Sequence, residues 1–231
     1  MSYNENYSFP NPETSDNQGL LFIGGDLTPQ RILQAYSQGV FPWYEPGTPI
    51  LWWSPNPRLI LLPTEFNISH SLQKSLKKPF KFTMDTAFSQ VIMACATNPG
   101  RINNTWITQE MIEAYTHLHK MGYAHSFEVW YENELVGGLY GLSLGRAFFG
   151  ESMFHKMTDA SKIAFYYLCK TLAEWNFDFI DCQIPTHHLQ SLGAKIIERR
   201  EFLHMLHLSL RFMEHLLIFQ IAITLYYYYT I

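Results

Sequence analysis

Cysteine is scarce in this sequence. Cys95, Cys169 and Cys182 are three in 231 residues, an odd number with no CxxC pair. That excludes a disulfide framework and a zinc knuckle, and it fits a reducing cytosol. Charge is also sparse: only 16% of residues are Asp, Glu, Lys or Arg, and the net charge is −4, against ~25% charged in ordinary soluble domains. A protein whose affinity came from covering long stretches of phosphate backbone would be strongly basic, although contact with one end of an RNA stays possible. The N-terminal stretch, Met1 to Pro12, lacks the basic region and apolar run of a secretory signal. No run is long enough for a membrane span of ~20 apolar residues. The nearest is Leu216 to Ile231, 16 uncharged residues with four consecutive tyrosines, which reads as a strand or an ordered tail.

Aromatic residues are abundant, with 17 Phe, 14 Tyr and 6 Trp, and hydrophobic residues make up 47%. A globular core is therefore within reach, with rings to spare for a binding surface. Leu27 to Gly39 predicts a short helix: Ile32, Leu33, Ala35 and Tyr36 fall at helical spacing and Gly39 suits the C-terminal cap. In the following stretch, Pro49, Pro55 and Pro57 surround Trp52 and Trp53, which forbids a regular helix. We read a small N-terminal domain over residues 1–62 and one α/β unit over 63–231. In the second, Phe88 to Ala96 and Gln109 to Met121 are helical. Ser126–Glu132, Leu135–Ser143 and Ala147–Phe154 form an antiparallel meander joined by short turns. Thr158 or Asp159 caps a helix to about Trp175, with Ala164, Phe165, Leu168, Leu172 and Trp175 on its apolar face. Phe177–Ile184 is the next strand. A largely antiparallel mixed sheet with one crossover helix resembles the acyltransferase fold of the GCN5-related N-acetyltransferases.

Polar residues inside apolar strands are the candidates for chemistry. In FDFIDCQI, strand alternation puts Asp181 and Gln183 on one face. They are either a strand emerging into solvent or groups awaiting a ligand. Glu151 interrupts the apolar run AFFGESMF. A buried Glu is rare unless paired, so it binds an amine or makes a structural hydrogen bond. Gly150 beside it suggests a bulge that re-aims the next side chain. Trp43 and Trp106, in FPWY and NTWIT, could stack on bases or plug the junction of the two domains. Lys74, Lys77, Lys78 and Lys81 form the one dense positive cluster, either a solvated face or a hold on phosphates. GLSLG at 141–145 matches the nucleophile-elbow pattern, but its context is strand–turn–strand. His117, His119 and His125, or His187 and His188, have no acidic partner at ligand spacing, so no metal site is expected.

These residues fall into motifs: GGDL (24–27), FPWY (41–44), ILWWSPNPR (50–58), TWIT (105–108), HSFEVW (125–130), LVGGLYG (135–141), GESMF (150–154), ASK (160–162), DCQ (181–183) and SLGA (191–194). Their identity and order resemble the bacterial leucyl/phenylalanyl-tRNA–protein transferases over about residues 17 to 206. The resemblance implies a cytoplasmic, monomeric enzyme without cofactor or metal. Its donor would be an aminoacyl-tRNA and its acceptor the α-amine of a protein beginning with Lys or Arg. The added Leu or Phe, or more weakly Met, would mark that protein for degradation. It further implies that the Gln183 side-chain oxygen accepts a hydrogen bond from the attacking amine, and that Asp181 polarises and orients Gln183. Glu151 would hold the α-amino end of the aminoacyl group, and Trp43 and Trp106 would flank the terminal adenosine. Leu139, Phe148, Leu168, Leu172 and Ile180 would form the side-chain pocket. An acetyl-CoA-dependent acetyltransferase would want a glycine-rich phosphate loop where FHKMTDASK stands. A non-catalytic RNA-binding module would not need Asp181, Gln183 and Glu151. The C-terminal HLLIFQIAITLYYYYTI departs from the family's more polar tail.

Overall fold

The computed structural model describes residues 8–98 and 105–215. The apolar tail at 216–231 lies outside them. The elements expected from periodicity are present. Helix α1 spans Pro29–Ser37, α3 spans Phe88–Ala96 and α4 spans Gln109–Lys120. The meander is β6 (Ala124–Tyr131), β7 (Glu134–Leu144) and β8 (Ala147–His155), and it is followed by α5 (Ala160–Glu174) and β9 (Phe179–Gln183). The first hairpin turns at Glu132 and Asn133, both at positive φ (48° and 65°), the tight-turn geometry that matches strand twist. Asp159 occupies the cap of α5 but makes no capping bond. Its carboxylate instead accepts from Lys162 and from the hydroxyl of Ser75.

Short elements complete the fold. They are β1 (Leu20–Ile23), β2 (Phe41–Pro42), β3 (Leu51–Trp53), β4 (Arg58–Leu61), α2 (His70–Ser75), β5 (Lys81–Met84), α6 (His187–Ser191), β10 (Lys195–Ile197) and α7 (Arg199–Ser209). Strands β1, β3 and β2 form a small antiparallel sheet. The large sheet has the order β10-β4-β9-β8-β7-β6-β5. Every neighbour in it is antiparallel except β8 and β9, which run parallel and are joined across the face by α5. This is the mixed, largely antiparallel sheet expected of a fold like that of the GCN5-related acetyltransferases. Among the described residues no helix is long and apolar enough to cross a membrane.

The two faces of the large sheet carry separate cores. One gathers α1, α3, α4 and α7 around Tyr36, Tyr115, Tyr140, Phe149, Phe179 and Phe202. The other packs α2 and α5 over Phe127, Leu139, Phe148 and Ile180. Gly137 seats α5: a Cβ there would lie 2.5 Å from the Cβ of Ala160, so any side chain would lift the helix off β7. The boundary drawn at residue 62 needs moving. Strand β4, placed with the N-terminal domain, sits in the large sheet between β10 and β9. Its four residues are too few for periodicity to reveal their partners.

Candidate active site

The site opens where β8 and β9 part. Their parallel pairing covers three residue pairs, Ala147–Phe179, Phe148–Ile180 and Phe149–Asp181. Beyond that level β8 follows β7 and β9 follows β4. Both strands bulge at the parting. On β8, Tyr140 faces Ser152 and Gly141 faces Gly150, so Glu151 is the extra residue. On β9, Leu59 faces Gln183 and Ile60 faces Asp181, so Cys182 is the extra residue. The bulge suggested by Gly150 is therefore real and aims Glu151. Gly141 makes it possible, because a Cβ there would meet the Phe149 carbonyl oxygen at 2.3 Å.

A cavity of about 290 Å³ fills the gap. Its walls include Leu139, Met153, Phe165, Leu168, Ile180 and Cys182, with Glu151 and Gln183 at its polar end. The carboxylate of Glu151 is held from three sides. Tyr36 Oη donates to Oε1 at 2.6 Å, Tyr115 Oη donates to Oε2 at 3.2 Å, and Gln183 Nε2 donates to Oε1 at 3.2 Å. The two tyrosine oxygens lie 2.5 Å apart. Each hydroxyl has one proton, so two protons serve three contacts, one between the phenols and one from each phenol to Glu151. Burial pushes the Glu151 carboxyl up to about 7. The Tyr36 and Tyr115 hydrogen bonds hold it down, the negative charge of Asp181 adds to the rise and the positive charge of Arg58 opposes it. Burial and the Glu151 charge in turn drive both tyrosine hydroxyls well above their ordinary range. Burial also pushes the Cys182 thiol up, which leaves it a poor nucleophile.

The expectations for Asp181 need correcting. It is not at an emerging strand end but fully buried. Its carboxylate is clamped by Arg58 through Nε at 2.9 Å and Nη2 at 2.6 Å. It touches Gln183 through the backbone, Oδ1 accepting the Gln183 N–H at 2.9 Å, and no bond from it to the Gln183 side chain is present. Alternation fails here because Cys182 bulges and Gln183 takes a left-handed backbone, φ 62°.

Of the proposed pocket residues, Leu139, Leu168 and Ile180 line the cavity, while Phe148 and Leu172 are fully buried behind it. Phe148 is still at the level where β8 and β9 are joined. Leu172 lies one helical turn beyond Leu168, on the right face of α5 but past the cavity's end. Met153, Phe165 and Leu189 take their places. Trp43 and Trp106 do not line the cavity. Trp43 is 42% exposed and tilts against Trp53 with ring centroids 5.8 Å apart. Trp106 is half-buried against the larger core. Their segments are tied by a 3.1 Å contact between Tyr44 Oη and Thr108 Oγ1. Lys74, Lys77, Lys78 and Lys81 are all exposed. Ser143 is buried within β7, so the elbow-like GLSLG presents no nucleophile. Sequence reasoning missed Arg58, Tyr36 and Tyr115. A signal existed for the tyrosines: each stands on the apolar face of its helix, and a buried phenol requires a polar partner.

Comparison with known proteins identifies the family. The leucyl/phenylalanyl-tRNA protein transferase family matches residues 60–207, and the description of that family's N-terminal domain matches residues 25–56. A leucyl/phenylalanyl-tRNA–protein transferase of Legionella pneumophila (strain Corby) is 71% identical over 212 residues, covering 92% of this chain and 96% of its own. One from Lawsonia intracellularis is 55% identical over 202 residues, covering 87% and 89%. Among solved structures, a GCN5-related N-acetyltransferase-like protein from Streptococcus suis is 12% identical, with a TM-score of 0.37 over 73% of this chain and 63% of its own. The chain belongs to the leucyl/phenylalanyl-tRNA–protein transferase family.

Proposed function

We propose that this protein moves Leu or Phe, and weakly Met, from aminoacyl-tRNA to the N-terminal α-amine of proteins that begin with Lys or Arg, and so marks them for degradation in the cytoplasm. The observation that carries this reading is the shape of the cavity: an apolar recess ending in one carboxylate. A free amino acid esterified to RNA presents those two features, an apolar side chain and an α-amine a few ångströms away. Leu139, Phe165, Leu168 and Ile180 receive the side chain, and Glu151 receives the α-amine.

Amide formation from an aminoacyl ester needs no ATP and no cofactor. The acceptor nitrogen attacks the ester carbonyl carbon, the bond from that carbon to the ribose oxygen breaks, and a proton moves from the nitrogen to the departing oxygen. An α-amine titrates at ~7.7–8.0, so much of it is neutral near pH 7 and positioning is the main requirement. Gln183 suits this. Its Nε2 donates to Glu151, and its amide oxygen is the acceptor left for the attacking N–H at the cavity wall that Gln183 lines. Asp181 acts at one remove, by fixing the Gln183 backbone. Trp43 and Trp106 flank the terminal adenosine, and the exposed lysines meet acceptor-stem phosphates. The test is incubation of the protein with labelled leucyl-tRNA and peptides beginning with Arg, Lys or Gly. Label should enter the first two and not the third. Labelling from acetyl-CoA, or none from leucyl-tRNA, would overturn the reading.

A further inference from the structure

We propose that Arg58, whose guanidinium does not line the cavity, is a positioning residue that sets the Gln183 side chain for transfer by clamping the Asp181 carboxylate. The inference rests on the reading that Gln183 receives the attacking amine. Gln183 sits at φ 62°, a left-handed conformation uncommon for a residue with a side chain and one that persists only where the surroundings impose it. What imposes it is the bond from the Gln183 N–H to Asp181 Oδ1, which closes a loop over the bulged Cys182. Asp181 is itself immobilised through both oxygens by the planar fork of Arg58. Arg58 starts β4, and its neighbour Leu59 is the register partner of Gln183.

The guanidinium is wedged between the rings of Phe41, at 4.9 Å, and Phe202, at 4.3 Å. Strands β2 and β4 and helix α7 thus fix one end of a chain of contacts whose other end is the Gln183 amide. The arrangement is a poor choice for stability alone. A buried ion pair is often matched or bettered by apolar residues of similar size, and among the described residues Arg58 Nη1 is a buried donor with no hydrogen-bond partner. Lysine cannot take its place: an ammonium is a point charge without the fork that grips two oxygens at fixed angles.

A double-mutant cycle tests this, using Arg58→Lys and Gln183→Ala in the labelled leucyl-tRNA assay, with folding of each variant checked by circular dichroism. Arg58→Lys should lower kcat on the order of 10–100-fold, the loss typical of a misplaced reacting group, while KM for leucyl-tRNA changes by less than about threefold, because the apolar walls assigned to the donor side chain are untouched. In the Gln183→Ala background the same substitution should lower kcat by less than about threefold, since residues acting through one another are not additive. Additive losses would overturn the proposal, as would equal losses in kcat and affinity. If Gln183→Ala alone keeps wild-type kcat, the role of Gln183 is wrong and the proposal falls with it, an outcome visible before Arg58 is changed. Should Arg58→Lys not fold, Asp181→Asn replaces it in the cycle, keeping the shape and removing one acceptor, with the same expectations.

Discussion

Replacing Tyr36 by Phe removes a single oxygen from the site. The ring remains packed edge-on against Phe149, with centroids 5.1 Å apart, so the wall of the core is preserved. The bond lost is the 2.6 Å donation to Glu151 Oε1, one of the two that hold the carboxyl down against burial. A hydrogen bond to a charged group contributes ~1.5–3 kcal/mol, and a pKa unit corresponds to about 1.36 kcal/mol. The upper bound on the rise is therefore about 1–2 units. Tyr115 can turn its shared proton wholly onto Glu151, which reduces the expected rise to roughly 0.5–1 unit. In the proposed role the ionised Glu151 carboxylate holds the donor amine, so the acid limb of the pH–rate profile should move up by that amount from a wild-type position near pH 7. The assay is transfer from leucyl-tRNA at saturating Arg-initiated peptide between pH 5.5 and 9. Titration of the acceptor amine contributes a limb common to both proteins, and the displacement between them reports Glu151. Stability gives the second sign. The folded carboxyl lies above its ordinary 4.5, so the folded state binds the proton more tightly. The contribution of this group is present below pH 4.5 and is lost as pH rises through about 7. Because Tyr36 favours the charged form, Tyr36→Phe should lower the melting temperature more at pH 8.5 than at pH 5.5. Superimposable pH profiles, or a limb displaced to lower pH, would refute the assignment of Glu151.

Asp181→Ala and Gln183→Ala should separate in their effects on stability. The first leaves the Arg58 charge buried without its partner and should cost ~3–5 kcal/mol in denaturant unfolding. The second, at a half-buried residue, should cost under about 1 kcal/mol while lowering transfer on the order of 10²-fold, and equal unfolding midpoints for the two would contradict the buried-pair account. Leu168→Trp should fill the cavity and abolish Phe transfer before Leu transfer in competition between the two charged tRNAs, and retention of both would place the side-chain pocket elsewhere. Trp106→Ala should raise KM for leucyl-tRNA by roughly 5–150-fold, in keeping with ~1–3 kcal/mol of base stacking. An unchanged KM with a lowered melting temperature would make this residue part of the core only.

The elements legible in the sequence were those long enough to show a period. The meander and α5 emerged with boundaries within a few residues because eight to fifteen positions repeat one pattern, while the five-residue β9 showed itself as an apolar run after the helix. Strands β4 and β10, of four and three residues, show no period, and their places in the sheet follow from partners far along the chain. The same division holds at the site. Glu151 and Gln183 stood out as polar residues in apolar strands. What gives them a chemical setting did not stand out, since Arg58 meets Asp181 across 123 positions and Tyr36 meets Glu151 across 115. The lining of the cavity was half legible for a similar reason. Helical spacing chose the face of α5 correctly, but only the parting of β8 from β9 decides how far along that face the cavity runs, hence Phe165 and Leu168 rather than Leu172. Alternation placed Asp181 and Gln183 together, and the bulge at Cys182 changed how they meet.

The central claim is that the cavity takes the donor's apolar side chain while Glu151 takes its free α-amine. Blocking that amine tests it without touching the protein. Leucyl-tRNA and N-acetyl-leucyl-tRNA, at equal concentration and with one Arg-initiated peptide, differ only in the group that Glu151 is assigned to hold. The account predicts transfer from the first and a rate from the second reduced roughly 10–150-fold, the loss expected when one hydrogen bond between charged groups, ~1.5–3 kcal/mol, is removed. Equal rates from both donors would contradict it.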